Sequence, residues 1–364
     1  MRALRLLITG LLVAAAGLAL AGVAEAHSTG NTFVGLQADD AFDRAPAYRM
    51  ATLHRIAESG AGTVRRTIDW SLVEPKKGHW SWKAYDAQIG AAAKAGLQVL
   101  PVLFNVPSWA STRPRTHAKR GTYPPRRMSQ FAEFAARAAQ RYGPDGTFWR
   151  RHPSIEARPI VTWQIWNEPN LPVYWQPRPR AASYVAMLRA AGEAIHTVSP
   201  TATIMTAGLP KSRLKGSIEL TAYVQQLYAA GAATAFDTLA VNPYAATPEG
   251  VVGFLQQIRT IMDAAGDPDG HLYASEFGWS DVGPGSDFRV GAAGQATAIA
   301  GAIPQLWAAR IALKLDGFVY YSWRDGPPYA GGHDFWGLHT GLLSLNNKAK
   351  PAYEAFHDAV DALT

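Results

Sequence analysis

The chain has 364 residues, 48% hydrophobic and 17% charged, with a net charge of +7 and no cysteine. A chain of this length buries a large core without disulfides, and the missing thiols exclude cysteine nucleophiles, iron–sulfur clusters and thiolate zinc sites. The basic excess speaks to solubility and to anionic partners, not to fold.

The first residues read as a processing signal. Arg2 and Arg5 precede an apolar stretch from Leu6 to Ala21, and Ala24-Glu25-Ala26 is a small-x-small cleavage site. Residues 1–26 are expected to be a signal peptide, with a secreted chain beginning at His27. The alternative, an uncleaved anchor, is disfavoured by the short apolar run, so no stable membrane anchor is expected.

Beyond the leader, strand-like apolar runs alternate with amphipathic, alanine-rich segments. In chain order, strands are predicted near 33–38, 63–69, 97–104, 159–167, 202–207, 237–242, 271–276 and 317–323. Helices are predicted near 46–59, 82–95, 128–142, 180–197, 216–230, 248–264, 291–313 and 349–362. Eight strands each followed by a helix is the pattern of a closed (β/α)8 TIM barrel in the α/β class. The competing architecture, a doubly wound open sheet, usually carries a glycine-rich turn after its first strand. Here Gly60-Ala61-Gly62 precedes a strand and lacks the third glycine. No linker divides residues 27–364, which are expected to form a single catalytic domain.

The chemistry concentrates at Trp166-Asn167-Glu168-Pro169-Asn170. The apolar run before it reads as a buried strand, and Pro169 ends strand pairing by removing a backbone donor. Glu168 should therefore emerge at the carboxyl end of strand four, beside an amide. A second acid, Glu276, lies in Tyr273-Ala274-Ser275-Glu276-Phe277-Gly278-Trp279 and should end strand seven. In such barrels functional groups collect at the carboxyl ends of the strands, so both acids should face one mouth. Two carboxylates with aromatic neighbours are the minimum equipment for breaking a glycosidic bond.

On these residues the chain resembles the glycoside hydrolases of clan A, retaining (β/α)8 enzymes, and is most similar in character to families 5 and 39. The resemblance spans essentially the whole chain after the leader. It implies that Glu168 is the general acid and then the general base, and that Glu276 is the nucleophile of a double displacement. Retention predicts carboxyl groups about 5–5.5 Å apart. It also implies that Asn167 binds the sugar 2-hydroxyl, that Arg65 sits near the nucleophile, and that Tyr244 donates its hydroxyl to Glu276. By strand alternation Arg66 points away from Arg65, so only one of them can serve. Asn242 stands where the clan often has histidine, and is expected to contact substrate. Trp323, closing strand eight, and Trp109, following strand three, are expected to offer aromatic faces to sugar rings; Trp166, Trp175, Trp279 and Trp336 flank other strand ends.

Other chemistries lack their motifs: there is no Gly-x-Ser-x-Gly elbow and no His-Glu-x-x-His helix. His333, Asp334 and His339 cluster after strand eight and are read as solvent- or substrate-facing, so no metal and no cofactor are expected. A basic loop carries Arg113, Arg115, His117, Lys119, Arg120, Arg126 and Arg127, followed later by Arg178 and Arg180. It either attracts an anionic glycan or is an ordinary solvated loop. Nucleic acid is not an expected partner. The sequence thus points to a secreted, monomeric, retaining β-glycoside hydrolase acting on a polysaccharide or oligosaccharide, and to endo action because the chain ends after the eighth helix. The alternatives are an exo-acting β-glycosidase of the β-xylosidase kind and a barrel that binds glycan without cleaving it.

Overall fold

The computed structural model describes residues 30–114 and 122–363. The leader, and with it the expected cleavage site, lies outside the described residues, as do Arg115, His117, Lys119 and Arg120. Eight parallel strands close into a barrel: β1 Asn31–Gln37, β2 Ala61–Asp69, β3 Gln98–Phe104, β4 Thr162–Ile165, β5 Thr203–Met205, β6 Thr238–Asn242, β7 His271–Phe277 and β8 Leu315–Tyr320. Each strand pairs with its neighbours in chain order, β8 pairs with β1, and Met205 of β5 meets Thr238 of β6 to complete the ring. After β5 a two-residue strand, Leu209–Pro210, pairs separately with β6. The fifth strand is therefore shorter than the predicted 202–207, and Gly208, buried, lies between it and the short strand that follows.

Eight principal helices cover the barrel: α1 Pro46–Glu58, α2 Lys83–Lys94, α3 Met128–Tyr142, α4 Ala181–Val198, α5 Leu220–Ala229, α6 Pro248–Ala264, α7 Gly291–Leu313 and α8 Pro351–Asp361. Local sequence explains where several begin. Thr247 caps α6 through a hydrogen bond from the Gly250 amide, with Pro248 at the first position. Glu219 caps α5 by accepting from Thr221 and Ala222, so that helix starts at Leu220 and not near 216 as predicted.

Strand residues alternate between two cores. Leu100, Met205, Ala240, Tyr273 and Val319 point inward and fill the barrel as a small separate cluster. The other strand face joins the helices in one continuous apolar layer. Near-complete burial on both faces explains why the strands read as unbroken apolar runs and not as alternating ones. Burial of a large side chain contributes about 1.5–3 kcal/mol, so this two-sided layer holds the barrel rigid under its mouth.

Candidate active site

The side chains singled out by sequence reach the site from four strands. Arg65 points inward from the middle of β2, 3% exposed, and its guanidinium makes four hydrogen bonds. Nη1 donates to Glu276 Oε1 at 2.5 Å and to Gln37 Oε1 at 2.9 Å. Nε donates to Gln164 Oε1 at 2.8 Å, and Nη2 to Asn167 Oδ1 at 3.1 Å. The fork thus links strands one, two, four and seven through a planar group that cannot lose its charge. Arg66 faces outward, as alternation requires, and pairs with Asp39 and Asp43.

Glu276 ends β7 with its second oxygen engaged as well: the Tyr244 hydroxyl donates to Oε2 at 3.1 Å. Burial, and then the charge of Glu276, push the Tyr244 hydroxyl well above the usual phenol range. Tyr244 therefore remains a proton-bearing donor.

Strand four stops at Ile165, two residues short of the predicted end, because the backbone leaves the β region at once. Trp166 has φ +76° and Glu168 φ +43°, left-handed conformations that cost a non-glycine residue of the order of 1–3 kcal/mol. Packing over-determines them. The Trp166 ring is buried and its Nε1 donates to the Tyr174 carbonyl, while the Glu168 amide donates to the Gly208 carbonyl. The two turns swing Asn167 and Glu168 over the barrel mouth.

Glu168 Oε1 accepts from Asn242 Nδ2 at 2.9 Å. The other end of that amide is fixed, since Oδ1 accepts from the Ser275 hydroxyl at 2.7 Å. A Cβ at position 208 would collide with both Asn242 Oδ1 and Ser275 Oγ, so the glycine there makes room for this contact. Asn242, 1% exposed and outside the cleft lining, thus holds Glu168. Burial, reinforced by the negative charge of Glu276, pushes the Glu168 carboxyl up to about 8, against the opposing effects of Asn242 and Arg65. Glu168 is accordingly driven towards its neutral form.

Both acids line a cleft of about 610 Å³, together with Arg65, Asn167, Tyr174 and Tyr244. Its walls include Phe104, Phe288, Tyr321 and Trp336. Arg65 can only donate, so Asn167 must turn Oδ1 towards it, leaving the amide NH₂ as the end available to a ligand.

Neither tryptophan expected to face sugar is in this lining. Trp323 is 1% exposed and packs outside the barrel, against Tyr353 of α8 and under Arg55 of α1. Strand β8 ends at Tyr320, so the parity that would carry residue 323 inward no longer applies; Tyr321 occupies the cleft wall instead. Trp109 donates its indole N–H to the Glu74 carbonyl and meets Trp70 edge-on, behind the ends of β2 and β3. Trp166, Trp175 and Trp279 are buried, whereas Trp336 lines the cleft.

Gln37 and Gln164, which orient Arg65, were not singled out from sequence, although a glutamine inside Thr162-Trp163-Gln164-Ile165 is the kind of buried polar residue that needs a partner. His339 pairs with Asp334 at 2.9 Å. Among the described residues no group of three or more His, Cys, Asp or Glu side chains is placed to hold a metal ion. Arg113 and Arg126 of the basic loop, and Arg178 and Arg180, lie outside the cleft lining.

No protein-family model matches the sequence, and no curated protein matches it. Solved structures do match in fold. A family 39 glycoside hydrolase from the gut symbiont Bacteroides cellulosilyticus WH2 superposes with a TM-score of 0.67 at 18% identity, over 93% of this chain and 65% of its own. A family 5 enzyme variant from Streptomyces cattleya, solved in complex with Manβ1-4GlcNAc, gives 0.67 at 17% identity over 91% of this chain and 80% of its own. A monomeric β-xylosidase from Caulobacter crescentus CB15 gives 0.66 at 18% identity, over 89% and 67%. This chain spans about two thirds of the length of the family 39 enzymes it superposes on. It has the closed eight-stranded parallel barrel of the family 39 and family 5 glycoside hydrolases.

Proposed function

We propose that the protein is a retaining β-glycoside hydrolase in which Glu168 is the acid/base and Glu276 the nucleophile. The observation that carries this reading is the difference in environment of two glutamates in one cleft. Glu276 is paired with Arg65 and accepts from Tyr244, while Glu168 is pushed up towards its neutral form. Divergent environments for a carboxylate pair assign one to attack and the other to protonation.

In the first step a Glu276 oxygen attacks the anomeric carbon as the bond to the leaving oxygen breaks, and Glu168 gives that oxygen its proton. Because Oε1 of Glu168 accepts from Asn242, Oε2 is the oxygen that carries the proton. In the second step Glu168, now ionised, takes a proton from water, whose oxygen attacks the same carbon and releases Glu276. Tyr244 and Arg65 keep the leaving carboxylate in place throughout. The Asn167 NH₂ group is positioned to bind the hydroxyl next to the reacting carbon.

The cleft continues past Tyr244 and Phe288 into a second hollow of about 660 Å³. Each space has the size of a small-molecule site, which supports a chain of sugars as substrate and endo action. Export follows from the leader, and amino-terminal sequencing of protein from the culture medium should begin at His27.

Intact mass after treatment with a panel of 2-deoxy-2-fluoro glycosides, followed by peptide mapping, tests the assignment. A sugar-sized increase on the peptide containing Glu276 is expected. Hydrolysis that inverts the anomeric configuration, followed by proton NMR, would overturn the nucleophile assignment.

A further inference from the structure

We propose that Lys211 and Arg213 form an anion-binding subsite that takes the carboxylate of an acidic sugar in the glycan lying in the cleft. The inference rests on the glycosidase reading for the word glycan, but its geometry is independent of the chemistry at Glu168 and Glu276.

Lys211, Ser212 and Arg213 line both the cleft around the two glutamates and the second hollow beyond Tyr244. They form the wall shared by the two spaces. Lys211 and Arg213 are exposed, and among the described residues neither takes part in an ion pair. Arg65, the other cation of the cleft, is already committed to Glu276. Glu219, the acid that follows on the same loop, spends Oε2 on the amides of Thr221 and Ala222 at the start of α5. Lys211 feels the charge of Glu219, but neither cation is in ion-pair contact with a carboxylate among the described residues, in a concave site that concentrates anions.

Their loop is built to hold them there. Asn170, fully buried, donates through Nδ2 to the carbonyls of Pro210 and Ile218 at 2.9 and 3.1 Å, drawing the two ends of the loop together. The Ile218 amide donates back to the Asn170 carbonyl. The loop is thus stapled to the same turn that presents Glu168. Within it the Ser212 hydroxyl accepts from the Leu214 amide and meets Ser217 Oγ at 3.2 Å. The Lys211 ammonium lies 5.2 Å from the centre of the Phe254 ring on the hollow's far wall. A planar guanidinium beside an ammonium suits a carboxylate, which the fork can meet with two parallel hydrogen bonds. Asp287, the carboxylate on the second hollow, is exposed.

The test measures binding of Glu276→Gln full-length protein by calorimetry to uronic-acid oligosaccharides and to their carboxyl-reduced, neutral counterparts. The acidic member of each pair should bind about tenfold tighter, the scale of one charge-assisted contact, with the preference shrinking as salt is raised. Lys211→Ala with Arg213→Ala should bring the ratio to near one, while Lys211→Arg with Arg213→Lys should keep most of it. O-sulfated oligosaccharides form a further arm: a preference for them that also depends on Lys211 and Arg213 supports the anion site and assigns it to an acid ester.

Equal affinity for acidic and neutral ligands, or a preference that survives the double alanine variant, overturns the subsite. Hydrolysis by the unsubstituted protein separates the two readings. Cleavage of neutral glycans without charge preference removes the anion site and leaves the hydrolase. Charge-dependent binding with no cleavage of any glycan removes the hydrolase and leaves the site.

Discussion

The two ends of the barrel make an instructive pair. The amino-terminal end holds the larger hollow, about 840 Å³, lined by Thr63, Gln98, Asp237, His271, Tyr273 and Asp316. It too has an ion pair, His271 Nδ1 to Asp316 Oδ1 at 2.6 Å, but the partners are 51% and 40% exposed. At the carboxyl end, Arg65 and Glu276 are 3% and 12% exposed, and the guanidinium is braced by further hydrogen bonds to Gln37, Gln164 and Asn167. Water screens the first pair and is excluded from the second. Volume does not set the candidate site apart from the other hollow; desolvated, cross-braced charge does.

The comparison breaks first if Glu276 is dispensable. Glu276→Ala should lower kcat/KM by about 10⁴-fold or more, the scale of removing a nucleophile. Glu168→Ala should spare glycosides with good leaving groups and be rescued by azide as a glycosyl azide. The alanine variants should retain near-native circular dichroism; activity that persists in Glu276→Ala would move the chemistry elsewhere in the mouth.

A smaller but still large effect is expected at the brace. Arg65→Lys keeps a charge and loses the fork that joins Gln37, Gln164, Asn167 and Glu276. A loss of about 10²–10³-fold in kcat, with KM changing less, is expected for removal of a preorganised charged donor. An equal loss in His271→Ala, at the other end, would erase the contrast between them.

The pH dependence sharpens the difference further. Glu168 must be protonated to act as acid, so kcat/KM should fall as pH rises through about 8. The Asn242 amide favours the ionised form, and Asn242→Ala should therefore move this basic limb to higher pH. The same shift has a cost in stability. The folded state holds the Glu168 proton up to about 8, whereas an unfolded glutamate releases it near 4.3. Between those values the folded state binds more protons, and stability falls as pH rises. Glu168→Gln should raise Tm by a few degrees at pH 8 and by little at pH 4. A Tm difference that does not change with pH would mean the carboxyl is not held neutral.

The smallest expected effect lies at the amino-terminal end. His271→Ala should cost roughly 1 kcal/mol or less, as exposed pairs do, and leave kcat/KM within twofold. Urea titration and initial rates on the same preparation settle both.

Much of this was legible from residue order. Alternating apolar runs and amphipathic segments specify eight βα units because a strand buried on both faces and a helix buried on one carry different periods. Asn167-Glu168-Pro169 reads as an acid and an amide near a strand end because proline cannot continue a ladder, although the ladder stops earlier, at Ile165, where the backbone turns left-handed. Glu276 followed from the same logic on strand seven. Alternation correctly sent Arg65 inward and Arg66 outward, since both lie within the nine-residue run of β2.

Position by position, what sequence could not decide begins where a strand ends. Trp323 lies three residues past the end of β8, and its ring packs on the outer helices while Tyr321 takes the cleft. Asn242 reaches Glu168 across the barrel mouth with its amide packed against Gly208, where any Cβ would collide with it, a closeness between residues distant in sequence. Lys211 and Arg213 face the cleft because Asn170, some 40 positions earlier, ties their loop down. A period of two can be read while the ladder lasts. Beyond it, the direction of a side chain is decided by contacts distant in sequence, and these exist only once the barrel has closed.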